Sequence, residues 1–215
     1  VALVDAAGVL NWWLEETDED MLVSRAHLAL DGQSVLYSSY DISMSGAVED
    51  DRAWVHRVGL DGALLESISL PQMSHDFVEL SDGSLGYIAA DWREIEGILV
   101  RGNKLMERDS EGNSRQVFSA WDHLAYDLEA EVEGTGWIHA NSLDYLPELD
   151  AYLLGIRNLH SIVLIDRSSG EPTWIFGGDQ SDFALVGEGQ MPYFQHQFHW
   201  LGDGLLVFDN RSSEE

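Results

Sequence analysis

The chain has no cysteine and a single lysine, Lys104, among only eleven basic residues. The lack of cysteine excludes a disulfide framework and thiolate metal sites, and leaves the redox compartment open. The shortage of cations against 39 acidic residues sets the formal charge at -28. Such a surface is hostile at long range to nucleic acid and to anionic membranes, so neither is an expected partner. No apolar run approaches the roughly 20 residues that span a bilayer. Walker loops, G-x-G-x-x-G and G-x-S-x-G are missing as well, as are close metal-ligand spacings such as H-x-x-x-H and an EF-hand loop. No cofactor and no metal is therefore expected. Residues 1 to 14, "VALVDAAGVLNWWL", have neither the charged start nor the small-residue cleavage site of a signal peptide. They begin strand-like without a methionine, and the end breaks off after "FDNRSSEE", so the chain is expected to be part of a longer protein.

What is present is a generous apolar supply. Forty-five per cent of the residues are hydrophobic, with eight tryptophans beside seven tyrosines and seven phenylalanines, enough for a sizeable core. Two patterns alternate along the chain. The first is an apolar pair, an acidic turn with glycine, then apolar residues and often tryptophan: "LVDAAGVLNWWL" (3 to 14), "RVGLDGALLESISL" (57 to 70), "MERDSEGNSRQVFS" (106 to 119) and "LIDRSSGEPTWIFG" (164 to 177). The second is a histidine, an alternating run, an Asp-Gly type turn and another apolar run: "HLALDGQSVLYSSYD" from His27, "HDFVELSDGSLGYIAAD" from His75, "HANSLDYLPELDAYLLGIRN" from His139 and "HQFHWLGDGLLVFDN" from His196. Both are hairpin signatures, because glycine supplies the positive φ that tight turns need.

Two hairpins make a four-stranded unit, and such units at intervals of about 40 to 60 residues are the arithmetic of an all-β, β-propeller fold. The expected division is a half blade over 1–26, blades over about 27–73, 75–130 and 139–191, and a half blade over 195–215, within one partial domain. Three whole blades and two halves do not close a ring. A β-sandwich with regularly spaced hairpins is the alternative architecture.

In a propeller the first strand of each blade lines the channel, so equal repeat positions fall on a ring about the axis. If His27, His75, His139 and His196 open such strands, imidazoles separated by 48, 64 and 57 residues converge at one mouth of the channel. His199 belongs to the opposite face of its strand, and His56, His123 and His160 lie away from the register; these four are expected to be structural or at the surface.

At these residues the sequence resembles the arylsulfotransferase family. The likeness is carried by "MSHDFVELSDGSL" (73 to 85), "WIHANSLDY" (137 to 145), "LLGIRNLHSIVLIDRSSGEPTWIFGG" (153 to 178) and "QHQFHWLGDGLLVFDN" (195 to 210). The resemblance implies a six-bladed propeller that moves a sulfuryl group from a phenolic sulfate ester to a phenol acceptor, without a nucleotide donor, through a sulfohistidine. It implies His196 as nucleophile and His75, His139 and Arg157 as its partners in the sulfate pocket, and it points to an exported protein. His27 has no counterpart there.

The chemistry suits the residue types. Neutral imidazole is a competent nucleophile near pH 7, and covalent catalysis divides the transfer into two steps with ping-pong kinetics. A second, protonated histidine can donate to the phenolate, worth about a hundredfold or more. The Arg157 fork matches sulfate oxygens. Tyr193, Phe194 and Trp137 flank these residues, placed either to stack on an aryl ring or to fill core. Two other readings stand beside this one. A quinoprotein-like propeller is suggested by the Asp-x-x-x-Gly-x-x-x-Trp turn within "LIDRSSGEPTWIFG", and a non-catalytic propeller would use its histidines only to recognise a ligand.

Overall fold

Hairpin turns set the architecture. A computed structural model describes residues 1–41, 52–126 and 136–211, and within them all eight expected hairpins are formed. The turn glycines Gly8, Gly62, Gly112 and Gly170 take φ values of 80, 86, 92 and 76°. The turn without a glycine, between Leu146 and Ala151, puts Asp150 at φ 47° instead, a conformation that aspartate tolerates better than most residues.

The strands are β1 (Ala2–Val4) and β2 (Leu10–Trp13), then β3 (Met21–Leu28), β4 (Ser34–Asp41), β5 (Ala53–Gly59) and β6 (Leu64–Ser69). Next come β7 (Met73–Glu79), β8 (Leu85–Ile95), β9 (Ile98–Arg108) and β10 (Ser114–Ser119), followed by a one-turn helix α1 (Ala120–His123). The chain continues with β11 (Ala140–Leu146), β12 (Ala151–Ile156), β13 (Ser161–Asp166) and β14 (Pro172–Phe176), and with β15 (Phe198–Trp200) and β16 (Leu205–Val207). They form three four-stranded antiparallel meanders, β3 to β6, β7 to β10 and β11 to β14, with a two-stranded hairpin at each end. The fold is all-β with propeller-like blades. The expected blade end near residue 130 and the half-blade end at 215 lie outside the described residues. Among the described residues no helix is long and apolar enough to cross a membrane.

His27 does not open an innermost strand. The residues before it, Met21 to Ala26, are themselves strand-forming and pair with β4 from Met21↔Asp41 onward, so His27 is the penultimate residue of β3. Its ring lies 4.9 Å from that of Phe77.

Packing explains why the strand sequences depart from simple alternation. The second strands β4 and β12 are buried on both faces almost throughout, as expected of a sheet covered on both sides. The outermost strand β6 exposes Leu64 and Leu65. One apolar cluster joins the first and second sheets through Leu36, Val55, Phe77 and Tyr87. Another joins the second and third through Ile88, Leu105, Trp137, Leu143 and Tyr152, and a third joins the third sheet to the last hairpin through Leu153, Leu164 and Phe198. Gly155 permits that last approach: a Cβ there would come within 2.1 Å of Ser142 Oγ and 3.0 Å of the Phe198 ring.

The sheets meet chiefly along their first strands, β3 against β7, β7 against β11 and β11 against β15. Polar links run along the same line. Ser24 on β3 donates to the His75 carbonyl at 2.6 Å, the Leu143 N–H on β11 donates to Asp76 on β7 at 2.9 Å, and Asn141 on β11 donates to the Gln195 carbonyl at 2.8 Å. Each of these three first strands carries a bulge, between Val23 and Ala26, between Met73 and Phe77 and between Ala140 and Ser142. A bulge releases residues from the ladder and re-aims their side chains, and these bulges release Arg25, His75, Asp76 and Asn141 at the line where the sheets converge.

Candidate active site

His75 is the centre of the convergence. It sits in the β7 bulge with φ 65°, and its ring lies 4.7 Å from that of His139, nearly edge-on at 68°. His139, immediately before β11, also has a left-handed backbone, φ 47°. Two histidines held in this sparsely populated region mark a place where the surrounding structure over-determines the backbone. His75 remains partly open to solvent, yet its ring is closely surrounded and Nδ1 is shielded without a hydrogen-bond partner. Burial, then the charges of His139, Arg101, His196 and Arg157, pushes its pKa down to about 3. Four groups from distant parts of the chain thus lie near enough to weigh on one imidazole.

Arg157 follows β12 and is fixed from both ends. Its N–H donates to the His139 carbonyl at 3.2 Å, and its Nη1 donates to Asn158 Oδ1 at 2.9 Å. Asn158 is itself anchored, donating to the Gly136 carbonyl at 2.8 Å. The guanidinium lies 4.5 Å from the centre of the Phe194 ring, a cation–π contact. Phe194 has φ 48° and donates its N–H to His160 Nδ1 at 3.1 Å, and His160 stacks on Tyr193 at 3.8 Å.

His196 is exposed, and its N–H donates to the Phe208 carbonyl at 3.0 Å. The residue before it does the holding. Gln195 is fully buried, and its Nε2 donates to the Ile156 and Ser161 carbonyls at 3.0 and 2.6 Å. An apolar residue there would leave those donors out and let the segment swing. Beside the histidines, buried Asp76 pairs with Arg25 at 3.2 Å and accepts the Leu143 and Phe77 N–H groups. Burial outweighs these partners and pushes its pKa up to about 6.

Among the described residues no group of three or more His, Cys, Asp or Glu side chains is arranged to hold a metal ion. The cluster sets imidazoles beside guanidinium donors, a set suited to a tetrahedral oxyanion. The model of the arylsulfotransferase (ASST) family matches residues 1–215. The chain belongs to the arylsulfotransferase family. No curated protein matches it. Among solved structures it is similar to a protein of unknown function from Bacteroides caccae, with 14% identity and a TM-score of 0.59 over 97% of this chain. It spans 63% of the length of that protein. It is also similar, at 11% identity and a TM-score of 0.52, to a luciferin-regenerating enzyme, over 77% of this chain and 49% of the other. At such identities these likenesses speak to the fold alone.

Within this arylsulfotransferase-family chain, His75, His139, His196 and Arg157 come together, and His27 stays outside the group. Trp137 is fully buried against Trp121 and Tyr126, so it fills core and offers no face to a ligand. Of the other histidines, His56 is held between Ser39 and Ser67, His123 stacks on Phe118, and His199 is exposed on β15. Sequence reasoning missed Arg101, Asp76 and Tyr40, the last lying within hydrogen-bonding reach of the His75 backbone. Arg101 lies in the β8–β9 hairpin, where no motif flags it. Asp76 was adjacent to a named histidine, and its buried position was the signal available only from the bulge.

Proposed function

We propose that the protein transfers a sulfuryl group from an aryl sulfate ester to a phenolic acceptor by a two-step mechanism through His196. In this reading the three sheets are consecutive blades of a six-bladed ring. The observation that carries it is the gathering at His75 of the His139 ring, 4.7 Å away, of Arg157, whose N–H donates to the His139 carbonyl, and of His196 and Arg101, whose charges weigh on it, in a chain whose whole length matches the arylsulfotransferase family.

A His196 ring nitrogen attacks sulfur as the bond from sulfur to the aryl oxygen breaks, and the phenolate leaves with a proton. Arg157 holds equatorial oxygens, so that catalysis is largely positioning and charge stabilisation, as in phosphoryl transfer. In the second step the acceptor oxygen attacks the same sulfur, its proton passes to a neutral imidazole, and His196 is released. In the free site the proton for the leaving phenolate does not rest on His75, whose pKa is held down to about 3. The anionic ester supplies the missing counter-charge; an opposite charge at short range favours the protonated form, so the His75–His139 pair takes up its proton when the donor binds.

The test is 4-nitrophenyl sulfate with and without a phenol. Nitrophenol release is expected to quicken with acceptor in the wild type and to vanish in His196→Asn. Release that is indifferent to this substitution removes His196 as the nucleophile.

A further inference from the structure

Arg101 stands apart from most arginines of this chain. With 39 acidic residues available, Arg25, Arg57, Arg115 and Arg167 are each paired with a carboxylate. Arg101 has no such pair among the described residues, and its Nε is shielded from solvent without a hydrogen-bond partner. Burial holds its guanidinium below ordinary basicity, with Tyr40 acting in the opposite sense. A shielded cation with an unmet donor is costly unless an anion completes it.

Its position is rigid. Arg101 pairs with Trp92 within the β8–β9 hairpin, its carbonyl accepts the Trp137 N–H at 3.1 Å, and two residues on Asn103 accepts the Ala140 N–H at 3.0 Å. Its charge weighs on His75, as does that of Arg157 from the next sheet. Tyr40, from the first sheet, lies within hydrogen-bonding reach of the His75 backbone and Ser24 and feels the same guanidinium.

We propose that Arg101 is a second anion-binding guanidinium of this site, taking an oxygen of a sulfate monoester, or of free sulfate, through its unpaired Nε while Arg157 takes others. The inference rests on the sulfate reading of the site but not on turnover. Two guanidinium groups from neighbouring sheets give the pocket a local positive field inside a protein of charge -28, which is what an anionic substrate needs against that background.

Inorganic sulfate is the probe, titrated calorimetrically at constant ionic strength. Arg101→Met is expected to weaken sulfate binding about ten- to a hundredfold, the scale of one charge-assisted hydrogen bond in a shielded site. Arg101→Lys restores part of it, since lysine brings the charge without the fork. Arg93→Met, on the same hairpin but ion-paired with Asp122 at the surface, leaves it unchanged. A folded Arg101→Met that binds sulfate like the wild type overturns the proposal. A measurement without substitution keeps it testable if that variant does not fold: the Arg101 Nε–H resonance of the wild type is expected to shift on adding sulfate, and a resonance that stays still overturns the proposal as well. Sulfate bound through Arg101 in a protein that never labels His196 would refute the transfer chemistry and leave this site standing.

Discussion

Replacing Gln195 with leucine isolates the anchor from the chemistry. The side chain is fully buried and makes two hydrogen bonds, to the Ile156 and Ser161 carbonyls. Leucine fills the site without an amide, so the loss is chiefly polar. Two such bonds are worth about 1 kcal/mol each, and more where the abandoned carbonyls are closed to water. Gln195 Oε1 has no partner, so removing it offsets part of the loss. A net destabilisation of about 2 kcal/mol follows, which for a chain of this size lowers the melting temperature by about 4–8 °C. The bond from Asn141 Nδ2 uses only the main-chain carbonyl of residue 195 and persists. The segment therefore stays attached while His196 loses its orientation, and a displacement of about 1 Å at a reacting group costs about a hundredfold in rate. Thermal unfolding followed by circular dichroism, together with nitrophenol release, measures both effects. A leucine variant that melts and turns over with the wild type would show that the buried amide positions nothing.

His75 predicts a pH dependence. Its pKa is held at about 3 against an ordinary 6.5, so between those values the unfolded chain binds a proton that the folded chain refuses. The stability this provides is full above pH 6.5 and is lost as pH falls toward 3, at up to about 1.4 kcal/mol per pH unit. Relative to His75→Gln, the wild type is expected to lose ground on acidification from pH 7 to 4 in urea midpoints, and parallel curves would contradict the burial of the ring. Asp76, raised from 3.8 to about 6, acts oppositely, its contribution present below 3.8 and lost as pH rises through 6, but it is common to both proteins and cancels. Gly155→Ala puts a methyl against Ser142 and Phe198 and is expected to cost about 1–3 kcal/mol by overpacking; a neutral urea midpoint would mean that the last hairpin is free to shift.

Much of the fold was legible because turns are local. Asp-Gly between alternating apolar residues specifies a hairpin within a dozen residues, and all eight expected hairpins are formed, while the β8–β9 hairpin was not foreseen. Strand starts were less legible. His27 looked like a leading residue because it precedes an alternating run, but Met21 to Ala26 are equally good strand formers and carry β3 further back. The site was legible only where a repeated residue marked it. His75, His139 and His196 recur with their hairpins, whereas Arg101 and Tyr40 reach His75 from the third strand of one sheet and the second strand of another. No periodicity encodes that kind of contact, which depends on how the sheet of His75 is shaped and how its neighbour faces it. The left-handed backbone of His75 and His139 was also invisible, since glycine and asparagine, not histidine, announce such positions.

The most direct measurement is the mass of the peptide containing His196 after brief exposure of the protein to 4-nitrophenyl sulfate without acceptor. A gain of one sulfuryl group on that histidine is expected, acid-labile and discharged by added phenol. A peptide of unchanged mass, in protein that still releases nitrophenol, would contradict it.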